Sequence, residues 1–533
     1  MRTRLSLGAL VLLALSLGVT WTAPRPAAAA GVVAVAAGAV HTCALTGEGT
    51  VKCWGGGPSG QRGDGTTDLR RYEPVDVCAD AACITPLSGV ARITAGNTHT
   101  CALMEGGGVK CWGSSNQGQL GNGELGEDTA HAVPYPVDVC ADEACATPLS
   151  GVISVVAGNY HTCALTSDRA VKCWGSNTTG QLGDGQRCGA ECPTPTAVCA
   201  DAACGEPLRG VAGLAAGWLF SCALMLDGGV KCWGDNTVGE LGDGTGGFIF
   251  DGPLPDLRFR TTPDDVCQTY DEAAEVCTET FSGGSGITAG TQHTCAIVAA
   301  GEVRCWGWNG GALLGDVFAC TDRSRPSPTY FCPTPVVVCQ LFDEVEQLCL
   351  ERFSGATALT AGLDYTCAIA GGSRVMCWGE SFNGGGCGGS GCYTPEPRLT
   401  GIVVEAGSNH TCAVPTTGGL MCWGANFYGE LGAGICCNDS QVLLNVVGFG
   451  AKPTPTMTPT STPTQLPPTD TPVPSAAATA RTTPTFPDVS ALPQSGRRDP
   501  PASGGLILVL LAGISVCLAA AAFRCARRKE RSP

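Results

Sequence analysis

The strongest constraint on this chain is a fifteen-residue pattern that occurs seven times, first as HTCALTGEGTVKCWG at 41–55 and then at 99–113, 161–175, 220–234, 293–307, 365–379 and 410–424. A chain built this way is a repeat protein, in which each unit buries its apolar face against its neighbours. Every copy reads as two short strands about a polar turn. In a hairpin centred on Glu48, Cys43 falls opposite Cys53 and Leu45 opposite Val51. Directly opposed residues of an antiparallel pair lie close enough to be bridged by a disulfide.

The same C-x9-C spacing makes candidate disulfides of Cys101 with Cys111, Cys163 with Cys173, Cys222 with Cys232, Cys295 with Cys305, Cys367 with Cys377, and Cys412 with Cys422. A second set lies between repeats: Cys78 with Cys83, Cys140 with Cys145, Cys199 with Cys204, Cys267 with Cys277, and Cys339 with Cys349. Further neighbours are 188/192, 320/332 and 387/392, while Cys436 and Cys437 are adjacent and hard to bridge without strain. Zinc is the competing reading. It wants closely spaced cysteine pairs and two more converging ligands, and these cysteines stand too far apart along each hairpin.

Of the 34 cysteines, 32 lie outside the hydrophobic C-terminal segment and tail, an even number that suits a disulfide framework and export. Residues 1–30 have the form of a secretory signal: Arg2 and Arg4, an apolar run, and Ala28-Ala29-Ala30 before Gly31. An uncleaved anchor is the alternative, although the run is short for a span. The body expected from this reading is 31–448, followed by a Pro/Thr-rich extended linker over 449–504. A transmembrane helix at 505–523 and a basic cytoplasmic tail at 524–533 complete the chain, with the N-terminus outside. Leu492, Pro493, Gln494, Ser495 and Gly496 resemble a sortase sorting signal, with Ser495 where threonine is usual. The protein is therefore expected at the cell surface, either membrane-anchored by a single pass or attached by a sortase to the cell wall.

Charge narrows the partners. The chain carries a formal −16, and residues 31–504 hold 23 basic against 46 acidic side chains. Nucleic-acid binding needs a basic face for phosphate contacts, so no nucleic-acid partner is expected.

Each period also contains a Pro-Val run such as EPVDV at 73–77 and an apolar run ending in Ala-Gly such as GVARITAG at 89–96. Four short strands per unit, without helical periodicity, predict an all-β fold: a seven-bladed β-propeller. The first blade lacks a preceding Pro-Val strand and the chain has a surplus strand at 441–448. Closure by the N- and C-terminal strands within one blade is the expectation.

The consensus AAG, HTCAL, VKCWG and GQLGDG resembles the repeat of the regulator of chromosome condensation family, across roughly 31–448. That resemblance implies seven-bladed propellers, and the bacterial secreted branch that includes β-lactamase inhibitor protein II is the nearer comparison. It does not imply the nuclear member's exchange activity on a small GTPase, which does not fit a signal and a surface anchor.

Five of six histidines share one repeat position, where the fourth and sixth copies hold Phe220 and Tyr365. A ligand or catalytic role would not tolerate Phe, whereas packing between blades would. The tryptophans of CWG read as core, and the Asp64, Asp184 and Asp243 turns lack the oxygen-rich run that calcium takes. No metal, cofactor or catalytic residue is expected. The two long connections, 245–286 and 312–356, carry Phe248, Phe250, Phe259, Phe318, Tyr330 and Phe331, aromatics suited to a partner surface; folding back onto the propeller side is the alternative. The function expected is a monomeric binding module for an extracellular protein or glycan. A surface-bound enzyme inhibitor, a structural coat protein and an enzyme with its site in the central channel are the alternatives.

Overall fold

The computed structural model describes residues 31–126, 131–186, 188–246, 259–271, 274–315, 331–343, 348–379, 392–435 and 439–450. The chain divides into Met1–Thr456 and Met457–Pro533, and the second part lies wholly outside the described residues. So do the expected signal, most of the linker with its LPQSG, and the hydrophobic segment at 505–523. Among the described residues no helix is long and apolar enough to cross a membrane.

The described fold is all-β, built from repeated four-stranded antiparallel sheets. The first unit consists of β1 (Val32–Ala37), β2 (His41–Thr46), β3 (Val51–Gly56) and β4 (Arg70–Asp76), hydrogen-bonded in that order. Five units are separate sheets of this kind. The sixth and seventh share a long strand, Cys392–Ala406, whose first half pairs with Arg374–Gly379 and whose second half pairs with His410–Pro415. In β2 the residues His41 to Leu45 are all buried, because neighbouring units pack on both faces of this middle strand. β4, the outermost strand, is only partly covered.

Within the hairpin, Cys43 pairs with Cys53 and Leu45 with Val51. The glycine of each CWG ends the hairpin at a bulge. Gly55, at φ +93°, sits beyond a register shift, and a Cβ there would stand 2.7 Å from the carbonyl oxygen of Val40. Glycine is the residue that takes this backbone without strain.

The core lies between units. Cys43, Leu45, Val51 and Cys53 of the first unit pack with Ala102 and Trp112 of the second. The last unit's Cys412 and Cys422 pack in the same way with Ala44 and Trp54 of the first. Each bulky indole thus covers its neighbour's disulfide, and removing one such buried side chain typically costs about 3–5 kcal/mol.

Two expectations are corrected. The Pro-Val run follows the hairpin of its own unit as the fourth strand, as β4 pairs with β3. The C-terminal strand, Ser440–Asn445, pairs with Met421–Gly424 of the last unit and does not enter the first. The first unit has no vacancy because β4 already occupies its outer edge, so β1 and the C-terminal strand belong to different sheets.

The long connections also contain strands. Two hairpins, Cys267–Asp271 with Val276–Thr280 and Cys339–Asp343 with Leu348–Arg352, stand outside the four-stranded units. The segments after them return to the body: Phe281 packs against Trp306 with ring centroids 5.9 Å apart, and Phe353 against Trp378 at 5.6 Å.

Candidate functional site

Adjacent residues of a strand face opposite ways, so His41 and Thr42 of each HTC reach different neighbours. Nε2 of His41 lies 2.8 Å from Oγ1 of Thr100 in the next unit, and His99 reaches Thr162, His161 Ser221, and His293 Thr366 in the same manner. The hydroxyl of Thr100 in turn donates to the carbonyl of Gln61 at 2.8 Å, and Trp112 Nε1 donates to the same oxygen at 2.9 Å. A hydroxyl has one hydrogen. Since Thr100 gives its hydrogen to Gln61, His41 must donate through Nε2–H, which leaves Nδ1 bare. The Nδ1 atoms of His41, His99, His161, His293 and His410 are buried without a partner, as a lone pair can be at lower cost than a donor.

Burial holds these imidazoles far below the usual histidine range: His41 and His161 fall to about 3, and His99, His293 and His410 to about 4. They are neutral junction pieces, and no proton-transfer role follows from them. In the sixth unit Tyr365 fills the position, donating to the carbonyl of His410 at 2.7 Å and accepting from Thr411 at 2.9 Å. Phe220 fills it in the fourth unit by packing alone in a buried apolar cluster.

The turn that supplies the carbonyl varies. Gln61, Gln119 and Gln181 each fold their side-chain oxygen back onto the amide two residues earlier. Glu240 and Glu430 make the same contact with Val238 and Tyr428 at 2.8 Å. Burial pushes the Glu240 carboxyl up to about 8 and that of Glu430 to about 7.

The first unit departs further. Arg62 stands where five of the other six units place Leu120, Leu182, Leu241, Leu314 and Leu431, yet it is fully buried. Its guanidinium donates to the carbonyls of Gly55 and Asp68, to Thr66 Oγ1 and to the Asp64 carboxylate. It fills the space taken elsewhere by Asn177, Asn236, Asn309 and Asn426, each of which caps the amide of the matching leucine. Gly57 occupies the asparagine position here, and a Cβ on it would collide with the guanidinium.

The inner strands of all seven units line one channel, a cavity of about 180 Å³ walled mainly by Ala and Gly, with Thr94, Thr288, Thr360, Asn159 and Trp218 among its polar and aromatic lining. Glu405 is the one ionisable side chain among the described lining residues. Its carboxylate has no hydrogen-bond partner among the described residues, and burial pushes it up to about 8.

The sequence-derived candidates are distributed as follows. The seven hairpin cysteine pairs are joined, each with Cα atoms 4.1 Å apart, the close spacing of a non-hydrogen-bonded cross-strand pair. Cys78–Cys83, Cys140–Cys145, Cys199–Cys204, Cys267–Cys277 and Cys339–Cys349 are joined as well, and so are Cys188 and Cys192. Asp184 converges with that last pair, but disulfide sulfurs are not the thiolates a metal would need.

Phe248, Phe250, Phe318, Tyr330, Cys436, Cys437 and the Leu492–Gly496 signal lie outside the described residues. Phe259 and Phe331 are not loop residues, which corrects the sequence reading: they open the fourth strands of the fourth and fifth units, opposite Asp235 and Trp308. Pairing there satisfies backbone groups that a loop would leave to water. Glu405 and Arg62 were missed. Their only sequence signal was departure from the repeat, Glu405 where other copies hold Ala, Val or Thr, and Arg62 where five other copies hold Leu.

Repeated four-stranded units whose inner strands line a channel, joined by side-chain hydrogen bonds, define a β-propeller. The RCC1-like domain model matches residues 16–348, more than half of the chain, and the regulator of chromosome condensation (RCC1) repeat matches 402–430; the chain belongs to the RCC1-like family. It is 27% identical over 357 residues to the ultraviolet-B receptor UVR8 of Arabidopsis thaliana, covering 66% of each chain. It is 34% identical over 272 residues to protein pim1 of Schizosaccharomyces pombe, covering 50% of this chain and 44% of pim1. The chain thus spans about half to two thirds of the length of these relatives. Among solved structures, yeast RCC1 (Prp20) bound to Kap60 aligns at a TM-score of 0.56 and 19% identity, covering 77% of this chain and 85% of that one. This last likeness is one of fold.

Proposed function

We propose that this chain is an exported propeller, closed into a ring of seven blades and held at the cell surface, that binds an extracellular protein or glycan. The observation that carries the binding reading is the contrast between uniform junctions and two insertions. The fourth and fifth units add hairpins pinned by Cys267–Cys277 and Cys339–Cys349, and these expose Val276, Leu341, Leu348 and Leu350 to solvent at 50–59%. Insertions of a repeat protein gather on its binding face, and a pinned hairpin presents apolar side chains at low entropic cost. Phe248, Phe250, Phe318 and Tyr330 precede the fourth strands of these two units in the chain and stay candidate partner contacts of this reading.

Ring closure is supported by the contact of His410 with Thr42 and of Trp54 with the Glu430 carbonyl. The density of disulfides supports an oxidising, extracellular setting, and the hydrophobic segment with its basic tail supports the anchor. The acidic body speaks against nucleic acid as partner.

The test exposes the immobilised oxidised protein to envelope extract and a glycan panel. A saturable partner whose binding falls at least tenfold when Val276, Leu341, Leu348 and Leu350 are changed to serine supports the reading. Binding unchanged by those substitutions, or no partner in either collection, removes it.

A further inference from the structure

The channel holds one feature that the repeat does not need. Glu405 occupies a position that the other six units fill with Ala36, Thr94, Val156, Ala215, Thr288 and Thr360. Two of these hydroxyls are used structurally: Thr94 accepts from the amide of Ala157, and Thr360 from that of Ala406. The Glu405 carboxylate has no hydrogen-bond partner among the described residues, and no Lys or Arg stands among the described lining residues. Glu405 is half-buried where it lines the channel, its carboxyl has no counter-charge among the described residues, and alanine, valine or threonine would serve the fold at that position. Trp218, 38% exposed, lines the same cavity from the fourth unit, at the position after the glycine of AAG. It follows the end of that unit's inner strand, Val211–Ala216, three residues beyond the position equivalent to Glu405. Ala37, Val156, Leu214 and Ile287 contribute apolar wall.

We infer that the channel is a binding site for a primary alkylammonium group, with Glu405 as its counter-ion, Trp218 as an aromatic surface for the cation or its alkyl stem, and the small apolar side chains as the wall around the chain. A divalent metal fits less well: calcium takes six to eight oxygen ligands and magnesium a near-ideal octahedron, whereas a single carboxylate beside hydroxyls and an indole suits an organic cation. The shared chemistry has two sources, a free linear diamine or a lysine side chain, whose four-carbon stem enters from a partner. This site is separate from the hairpin surface proposed above, and neither depends on the other.

The empty carboxyl, pushed up to about 8, is protonated at neutral pH; seating an ammonium ionises it and releases its proton to solvent. The titratable groups on the flanking strands are the Tyr365 phenol, pushed upward, and the His410 and His41 imidazoles, all neutral at that pH.

The experiment titrates the full chain by calorimetry at pH 7 with 1,5-diaminopentane, with a lysine-containing tripeptide, and with pentan-1-ol as the uncharged control, in two buffers of different ionisation enthalpy. Expected are saturable binding of the diamine, the peptide or both, with proton release, and none of the alcohol. Glu405→Gln should weaken binding at least tenfold, and Trp218→Ala roughly threefold to tenfold. Glu405→Thr, which installs the residue of three other units, gives a second variant should the first fold poorly. Diamine alone or peptide alone assigns the source. The inference is overturned if neither probe binds, if pentan-1-ol binds equally, or if both Glu405 variants retain full affinity.

Discussion

Nε2 of His410 lies 2.8 Å from Oγ1 of Thr42, a residue 368 positions earlier in the chain. The hydroxyl of Thr42 donates to the Glu430 carbonyl at 2.9 Å, which also accepts from Trp54 Nε1 at 2.7 Å. The last unit therefore meets the first through the same junction that links the second to the first. Gly407 repeats the pattern, since a Cβ there would stand 2.5 Å from the carbonyl oxygen of Gly38.

At this junction volume should matter more than the hydrogen bond. His410→Phe, which copies the Phe220 solution, loses one neutral hydrogen bond and should cost about 1 kcal/mol. His410→Ala leaves a cavity and should cost about 2–4 kcal/mol. Urea denaturation of both variants decides; equal losses would sink the ordering.

Stability should peak near pH 6.5. The five junction histidines have folded values depressed to about 3–4, so their contribution is complete above the unfolded value of about 6.5 and is lost as pH falls through that window. Glu240 and Glu430 act oppositely. Their folded values are raised to about 8 and 7, so their contribution is complete below the unfolded carboxyl value and fades as pH rises through the folded ones. Thermal melts from pH 4 to 9 should rise to the maximum and then decline.

Glutamine already stands at the equivalent turn in three units, so Glu240→Gln should remove part of the alkaline decline. It should stabilise the protein by about 1–3 kcal/mol at pH 8 and change little at pH 4.5. Comparison of denaturation midpoints at the two pH values is the check, and an equal effect at both would exclude the ionisation account.

Arg62 and Gly57 should be coupled. Gly57→Asn alone drives a side chain into the guanidinium, and Arg62→Leu alone leaves the space beside Gly57 empty and frees Asp64 of its buried partner. Each should cost about 2–4 kcal/mol. The double variant restores the Asn–Leu pair of the third, fourth, fifth and seventh units and should recover at least about 1 kcal/mol of the sum. A double-mutant cycle measures this, and simple additivity would refute the exchange.

Replacing Cys43 and Cys53 together by alanine should destabilise by about 2–3 kcal/mol on the chain-entropy model, with further loss where Trp112 packs on the bridge. Intact mass of the oxidised protein should fall short of the reduced mass by two hydrogens per bond. Free thiols with bound zinc would overturn the framework.

The hairpin register was legible from residues 41–55 alone, because period-two alternation and a turn centre fix which cysteines oppose each other. The structural role of the histidines was legible from Phe220 and Tyr365 at the same position, and the family from the repeated consensus. These properties are local and recur along the chain. Which unit owns the Pro-Val strand was not legible, since such a strand can pair with the hairpin before it or after it, and only packing between units chooses. The same ambiguity produced the mistaken terminal closure and placed Phe259 and Phe331 in loops. The sequence by itself determined a disulfide-stapled repeat of four-stranded sheets, because strand period and cysteine spacing act within a few residues. Only the tertiary structure decided that Thr42 meets His410, that Arg62 replaces an asparagine and a leucine, and that Glu405 stands in a shared channel without a counter-charge among the described residues. Each of these depends on which side chains distant in sequence come within a few ångströms, where burial and hydrogen bonding fix their charge and their neighbours.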